Sequence, residues 1–193
     1  LRAERVWSLV NVATSSIARE SDLALPILAG VEVSVASTKA FTNQLMALAL
    51  MAVRAGRQRG TLDEAGTAAL LSGLDRLPGL VNQALSLEPA IRSLGEALAE
   101  AQDVLFLGRG RLYPLALEGA LKMKELSYIH AEGYASGELK HGPIALIDRS
   151  VPVVVFAPHD ALFDKTVSNM QEVMARHGKV VLITDAAGAR AAS

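Results

Sequence analysis

The sequence LYPLALEGALKMKELSYIHAEGYASGELKHGP occupies residues 112–143, and the rest of the chain is organised around it. Beyond Pro114 its first half is rich in Leu, Ala, Met, Glu and Lys, a composition that predicts a helix. At about 100° per residue, Glu118, Lys122 and Glu125 fall within a sector of about 60°. They therefore form one charged stripe on a helix whose other positions are mostly apolar, as in a buried helix.

Two interpretations of this stripe remain open. Charges are costly to bury unless they are paired or used, so the stripe could mark a functional site. It could equally be a solvent-facing stripe on an amphipathic helix, with Lys122 and Glu125 as an i,i+3 pair. His130, Glu132 and His141 follow in a segment punctuated by Gly and Pro, which predicts a loop. Histidines and carboxylates beside the stripe favour proton-transfer chemistry.

Composition excludes several classes of protein. The 193 residues suffice for one large domain or two small ones. The composition, with 51% hydrophobic and 20% charged residues, is typical of a globular α/β protein. The net charge of −1 predicts no affinity for nucleic acid or anionic membrane. No apolar run reaches the roughly 18 residues of a membrane span, so no membrane association is predicted. The absence of Cys excludes disulfides and cysteine nucleophiles and agrees with a cytoplasmic protein.

The N-terminal third predicts two strands and a long helix. Short apolar runs at residues 6–12 and 23–28 predict the strands. The helix is predicted over residues 39–57, with Ser37 or Thr38 as N-cap. Its apolar positions recur at helical spacing and are expected to be buried: Phe41, Leu45, Leu48 and Ala52.

A series of helices is predicted next, over residues 62–77, 79–85 and 90–101. Thr61 and Glu64 have the spacing of a capping box at the first of them. Their many Ala and Leu residues indicate packing rather than chemistry, and we expect a helical connector over residues 61–102.

The C-terminal part alternates strands with helices. Strands are predicted at residues 103–107, 151–157 and 179–185, and a helix at residues 162–176. This alternation predicts an α/β fold with doubly wound parallel sheets and flanking helices, in two lobes joined by the connector. The Gly-Arg-Gly turn at residues 108–110 follows a strand, where such folds place ligands.

Four separated motifs carry a resemblance to a known family. They are SVASTKAFT (residues 34–42), FLGRG (106–110), ALEGALKMKELSYIHAE (116–132) and GELKHGP (137–143). In this order they resemble the isomerase part of glucosamine-6-phosphate synthases, also called glutamine–fructose-6-phosphate aminotransferases. That part consists of two flavodoxin-like SIS (sugar isomerase) domains. The resemblance implies that residues 1–60 end a first SIS domain and that residues 103–193 form most of a second.

The resemblance also implies an activity and its residues. The family converts fructose 6-phosphate to glucosamine 6-phosphate by moving a proton between C1 and C2 of the opened sugar. Glu125 matches the base, Lys122 the lysine beside the intermediate, and His141 the residue that opens the sugar ring. The substrate-binding positions matched by the motifs are Glu118, Val35, Ala36 and Ser37. No metal or other cofactor is implied.

Other family elements have no counterpart in this sequence. The family's phosphate-binding loop precedes Leu1, its Schiff-base lysine follows Ser193, and the glutaminase nucleophile is a cysteine. We therefore expect a piece of a longer polypeptide whose glutaminase domain lies elsewhere. A homodimer is implied as well, because the ring-opening histidine of the family acts in the neighbouring subunit's site.

Three further readings stay open. The chain could belong to a stand-alone SIS sugar-phosphate isomerase or deaminase without glutaminase. It could be a non-catalytic SIS sensor of an amino-sugar phosphate, which need not keep a base. It could also be a purely structural α/β module, which solvent exposure of Glu118 and Glu125 would support.

Overall fold

A computed structural model of the chain describes residues 4–192, which divide into two units between Glu88 and Pro89. In the first unit, β1 (Trp7–Val10) and β2 (Leu23–Pro26) pair in parallel, from Trp7 opposite Leu23 to Val10 opposite Pro26. Both strands were predicted, although each is shorter than its apolar run. The short helix α1 (Ser16–Glu20) between them was not predicted, and Ser15 Oγ caps it by accepting a hydrogen bond from the Ala18 N–H.

Four helices follow along the chain: α2 (Lys39–Gln58), α3 (Glu64–Asp75), α4 (Leu77–Leu85) and α5 (Glu88–Leu98). The helices predicted here all exist. Thr38, one of the two predicted positions, is the N-cap of α2, but its side chain makes no capping bond, and the Glu32 carboxylate accepts the Ala40 N–H at 2.7 Å instead. The capping box is wrong, because α3 begins at Glu64 and Asp63 is the N-cap.

The predicted burial of the α2 face is also wrong. Leu45 and Leu48 are 52% and 51% exposed, and Ala52 is exposed as well. No residue of α2 is fully buried. The physical reason is that the part of the first unit that the structure describes contains only a two-stranded sheet, which is too small to cover a 20-residue helix.

The second unit is built on a four-stranded parallel sheet in the order β4-β3-β5-β6. Its strands are β3 (Asp103–Gly108), β4 (His130–Ala135), β5 (Pro152–Phe156) and β6 (Lys179–Ile183). Besides α5, which lies almost wholly in this unit, three helices follow the strands: α6 (Tyr113–Ser127), α7 (Phe163–Ala175) and α8 (Ala186–Ala192). The predicted doubly wound α/β fold is confirmed.

Residues of β3 alternate between two cores. Val104 and Phe106 belong to the cluster that contains Ala116 and Ala120 of α6. Leu105 and Leu107 belong to the cluster on the opposite face, which includes Phe163, Met170 and Val173 of α7. Each face of the sheet is therefore covered by a helix, which explains why residues 104–107 of β3 and all of β5 are apolar.

Strand β4 and helix α8 were not predicted. Gly133 suggested a loop, but it lies within β4, opposite Phe106. A Cβ atom at Gly133 would lie 2.7 Å from the Leu117 backbone nitrogen, so the glycine lets α6 approach the sheet closely. Among residues 4–192, no helix is both long and apolar enough to cross a membrane.

Candidate active site

Helix α6 carries the charged stripe on the side away from the sheet. Ala116 and Ala120 are 0% and 2% exposed and pack against β3 and β4. Glu118 lies about 160° from both of them around the helix axis. Small residues on one face thus set the helix close to the sheet, while the stripe faces the other way.

Lys122 stands between two carboxylates. Its Nζ atom donates a hydrogen bond to Glu125 Oε2 at 2.5 Å and lies 3.5 Å from Glu118 Oε1. The three side chains are between 21% and 26% exposed, so none of them is freely solvated. The structural-module reading predicted solvent exposure of Glu118 and Glu125, and both side chains are only partly exposed, at 22% and 26%.

The hydrogen bond to Glu125 raises the pKa of Lys122 above its ordinary value of 10.5. Partial burial acts in the opposite direction, and the charges of Glu125 and Glu118 add to the rise. Lys122 is therefore an ammonium at neutral pH. The group places one positive charge between two carboxylates, each about one helical turn away. A carboxylate can act as a general base, and an ammonium beside it can stabilise negative charge that develops on a substrate.

His141 ends a 3₁₀ segment, Ser136–His141, that follows β4 directly. Gly142, with φ at +141°, separates it from a second 3₁₀ segment, Pro143–Leu146. The His141 side chain is exposed, and within the described range no hydrogen bond or ion pair joins it to the Lys122 group. The stripe is thus assembled locally within α6, whereas His141 belongs to a separate segment that follows β4.

The other predicted binding residues lie in the first unit, between β2 and α2. Val35 is 87% exposed, Ala36 is 2% exposed, and Ser37 is half-buried. The Ala36 N–H donates to Ser34 Oγ at 3.2 Å, which stabilises the turn.

The expected cluster of His130 and Glu132 beside the stripe is corrected by the structure. Both lie on β4 at alternating positions with Tyr134, on the face opposite to Ala131 and α6. Glu132 accepts a short hydrogen bond from the Tyr134 hydroxyl, and its other oxygen lies 3.6 Å from His130 Nε2. This bond raises the pKa of Tyr134 to about 12. The alternation of polar residues with Ala and Gly was the period-two signal of a strand.

In the region from residue 4 to residue 192, no three His, Asp or Glu side chains are arranged to hold a metal ion. The model of the SIS domain family matches residues 2–54 and 97–193. The chain belongs to the SIS domain family.

Curated relatives of this SIS chain are long proteins. It is 61% identical over 186 residues to an isomerizing glutamine–fructose-6-phosphate aminotransferase of Bradyrhizobium diazoefficiens, covering 96% of the chain and 31% of the relative. A protein of the same name from Rhizobium meliloti is 60% identical over 188 residues, or 97% of the chain and 31% of that relative. The SIS chain therefore spans about a third of the length of the curated relatives it matches.

Solved structures give the same picture. The C-terminal domain of glucosamine-fructose-6-phosphate aminotransferase from Francisella tularensis matches with a TM-score of 0.95 and 47% identity, over 97% of the SIS chain and 53% of that chain. Glucosamine-6-phosphate deaminase from Thermotoga maritima matches with a TM-score of 0.70 at 23% identity, over 95% of the SIS chain and 53% of that chain. The second match shows a shared fold alone. The resemblance predicted from the four motifs is confirmed.

Proposed function

We propose that this chain is the phosphosugar isomerase portion of a glutamine–fructose-6-phosphate aminotransferase. In this proposal it moves a proton between C1 and C2 of the opened sugar as fructose 6-phosphate becomes glucosamine 6-phosphate. The observation that carries the proposal is the Lys122 ammonium, 2.5 Å from Glu125 and 3.5 Å from Glu118, in a chain about 60% identical to relatives of that name.

Glu125 is the proposed base. One carboxylate can take a proton from C1 and return it to C2, because the two carbons are adjacent and the group serves first as base and then as acid. A positioned general base contributes roughly 10²- to 10⁴-fold in rate. Lys122 holds Glu125 in place by its hydrogen bond, which supports a fixed orientation of the carboxylate.

Lys122 is the proposed electrostatic partner. Negative charge grows on a sugar oxygen when the C1 proton leaves, and a nearby ammonium stabilises that charge. The pKa of Lys122 is raised above 10.5, so the ammonium keeps its proton at neutral pH. Glu118, on the other side of Lys122, is proposed to fix the ammonium and to contact the sugar.

The remaining roles rest on motif matches. His141 is proposed to open the sugar ring, and its exposed position leaves the imidazole available to a ligand. Val35, Ala36 and Ser37 are proposed to contact the sugar.

We also propose a division into domains. Residues 1–60 are the end of a first SIS domain, residues 61–102 are a helical connector between the two domains, and residues 103–193 belong to a second SIS domain. The gap in the family match between residues 54 and 97 supports this division.

The proposal also covers localisation, assembly and ammonia supply. The protein is proposed to be a cytoplasmic homodimer that needs no added cofactor, and a glutaminase domain elsewhere in the polypeptide is proposed to supply the ammonia. The names and lengths of the curated relatives support the additional domain. A stand-alone isomerase or an amino-sugar-phosphate sensor would lack a glutaminase domain, so the complete reading frame distinguishes these alternatives.

Deuterium exchange tests the proposed function. Fructose 6-phosphate is incubated in heavy water with the complete gene product, and deuterium at C1 and C2 is measured by NMR. We expect the unaltered protein to incorporate deuterium and the Glu125→Gln variant not to. Sugar binding, measured by calorimetry, should be retained in the variant. Glu100→Gln changes an exposed carboxylate of the second unit and serves as the matched control. Exchange that is equal in Glu125→Gln and in the unaltered protein would contradict the role of Glu125.

A further inference from the structure

The 3₁₀ segment Ser136–His141 contacts the rest of the second unit at three of its positions. Leu139 is fully buried in the core cluster that also contains Val173 of α7. Lys140 Nζ lies 2.9 Å from Glu172 Oε1. The Arg109 guanidinium lies against Gly137, with Nη1 3.3 Å from the position that a Cβ atom there would take. The backbone on the N-terminal side of His141 is thus held by one apolar and two charged contacts.

The two charged contacts meet on helix α7. Arg109 Nη1 donates a hydrogen bond to Asn169 Oδ1 at 3.1 Å, and Asn169 Nδ2 donates to Glu172 Oε2 at 3.4 Å. Arg109, Asn169, Glu172 and Lys140 therefore form a continuous series, which we name the α7 brace. It links the turn after β3, helix α7 and the 3₁₀ segment, which are far apart in sequence.

Burial decides which part of the brace matters most. Lys140 is 63% exposed at its side chain, and an exposed ion pair alone contributes little. Asn169, however, is only 8% exposed, and the Glu172 side chain is 22% exposed. Removing a partner would leave a largely buried amide or carboxylate unpaired, which costs more than the bond itself contributes. The brace therefore acts as a network anchored at Asn169.

We propose that the α7 brace positions His141 for ring opening, with Arg109, Asn169, Glu172 and Lys140 as positioning residues. This rests on the proposed function, in which His141 acts on the sugar ring. His141 follows Lys140 directly and has no side-chain partner among residues 4–192. The next residue, Gly142, has a φ angle of +141°, in the left-handed region that favours glycine. The brace, together with the buried Leu139, consequently fixes the backbone from which the imidazole projects.

The test compares two sugars in the complete gene product. Fructose 6-phosphate requires ring opening, whereas 5-deoxyfructose 6-phosphate lacks the hydroxyl that closes the furanose ring. Deuterium uptake at C1 of each sugar is measured for Glu172→Gln and Asn169→Ala. We expect the rate with fructose 6-phosphate, divided by the rate with 5-deoxyfructose 6-phosphate, to fall about tenfold. A misplacement of a catalytic group by about 1 Å can lower a rate roughly 100-fold. Glu172→Asp keeps a carboxylate that can accept from both Asn169 and Lys140, so it should retain more of the ratio than Glu172→Gln.

A second measurement reports on the brace without activity. Amide hydrogen exchange of residues 136–142 should become faster in both brace variants and should change less in Glu172→Asp. Arg111→Gln is the matched control, because it breaks the ion pair of Arg111 with Asp160 at 3.2 Å in the same unit without touching the segment.

The outcomes separate the two proposals. Amide exchange in the brace variants equal to that of Arg111→Gln would overturn the brace. Faster amide exchange with equal losses on both sugars would overturn its role in ring opening. If the unaltered protein exchanges deuterium into neither sugar, the proposed function fails together with that role, and amide exchange alone decides whether the brace exists.

Discussion

The Nζ atom of Lys122 lies 2.5 Å from Oε2 of Glu125, one turn further along α6. This bond joins the two side chains, and it raises the pKa of Lys122 above 10.5. In the proposed reaction the ammonium stabilises the charge that grows on a sugar oxygen while Glu125 accepts the C1 proton. The contact thus couples the proposed base to the proposed charge-stabilising group.

Replacing Lys122 tests this coupling. In Lys122→Gln we expect deuterium exchange at C1 to fall about 10²- to 10³-fold, the usual loss for a donor that stabilises developing negative charge. Lys124→Gln, two residues along the same helix, is the matched control, because Lys124 is exposed and makes no ion pair in the described part of the chain. An equal loss in both variants would indicate a general effect on the helix.

His141→Ala should separate ring opening from proton transfer. We expect a loss of about 10²-fold or more with fructose 6-phosphate, the lower range of acid–base contributions, and little change with 5-deoxyfructose 6-phosphate. The two rates of deuterium uptake at C1 provide the measurement. His130→Ala removes another largely exposed histidine of the second unit and should affect neither sugar. Equal losses of His141→Ala on both sugars would remove the ring-opening role.

Tyr134 predicts a pH dependence of stability. Its pKa rises from 10.0 to about 12, first because its hydroxyl donates to Glu132 and then because of partial burial. The folded state therefore holds the phenolic proton more tightly than the unfolded state. The contribution to stability is fully present below pH 10 and is lost as the pH rises through about 12.

Urea unfolding at several pH values measures this contribution. Tyr134→Phe should be less stable than the unaltered chain at pH 8, and the difference should shrink between pH 10 and 12. Tyr128→Phe is the control, since Tyr128 is 93% exposed. A stability difference for Tyr134→Phe that does not change with pH would contradict the interpretation.

Gly133 tests the close approach of α6 to the sheet. A Cβ atom there would lie 2.7 Å from the Leu117 nitrogen and 2.8 Å from the Ala116 carbonyl carbon, both of them backbone atoms that cannot rotate away. We expect Gly133→Ala to lower the free energy of unfolding by about 1–3 kcal/mol, the usual cost of overpacking. Gly95→Ala, in helix α5 with open space around it, should instead raise it by about 0.5–1 kcal/mol. Urea unfolding of both variants provides the comparison, and equal effects would contradict the packing argument.

Some predictions from sequence failed for identifiable reasons. Strand β4 was read as loop because Gly133 and Gly137 outweighed the alternation of His130, Glu132 and Tyr134. The apolar face of α2 was expected to be buried, yet Leu45 and Leu48 are about half exposed. In each case the pattern correctly described the residues, but the result depended on what lies opposite them. Helix α6 lies against Gly133, whereas Leu45 lines an open apolar groove that it shares with Leu77 and Val81 of α4.

The charged group of α6 was determined by sequence alone. Residues three and four positions apart in a helix are neighbours, so Glu118, Lys122 and Glu125 meet wherever that helix forms. The alternation of apolar strands and amphipathic helices likewise determined the doubly wound fold. Only tertiary structure decided that Arg109 and Lys140 both reach α7, through Asn169 and Glu172. Such contacts join segments that are distant in the chain, and they form only after the parallel sheet has placed β3, β4 and α7 side by side.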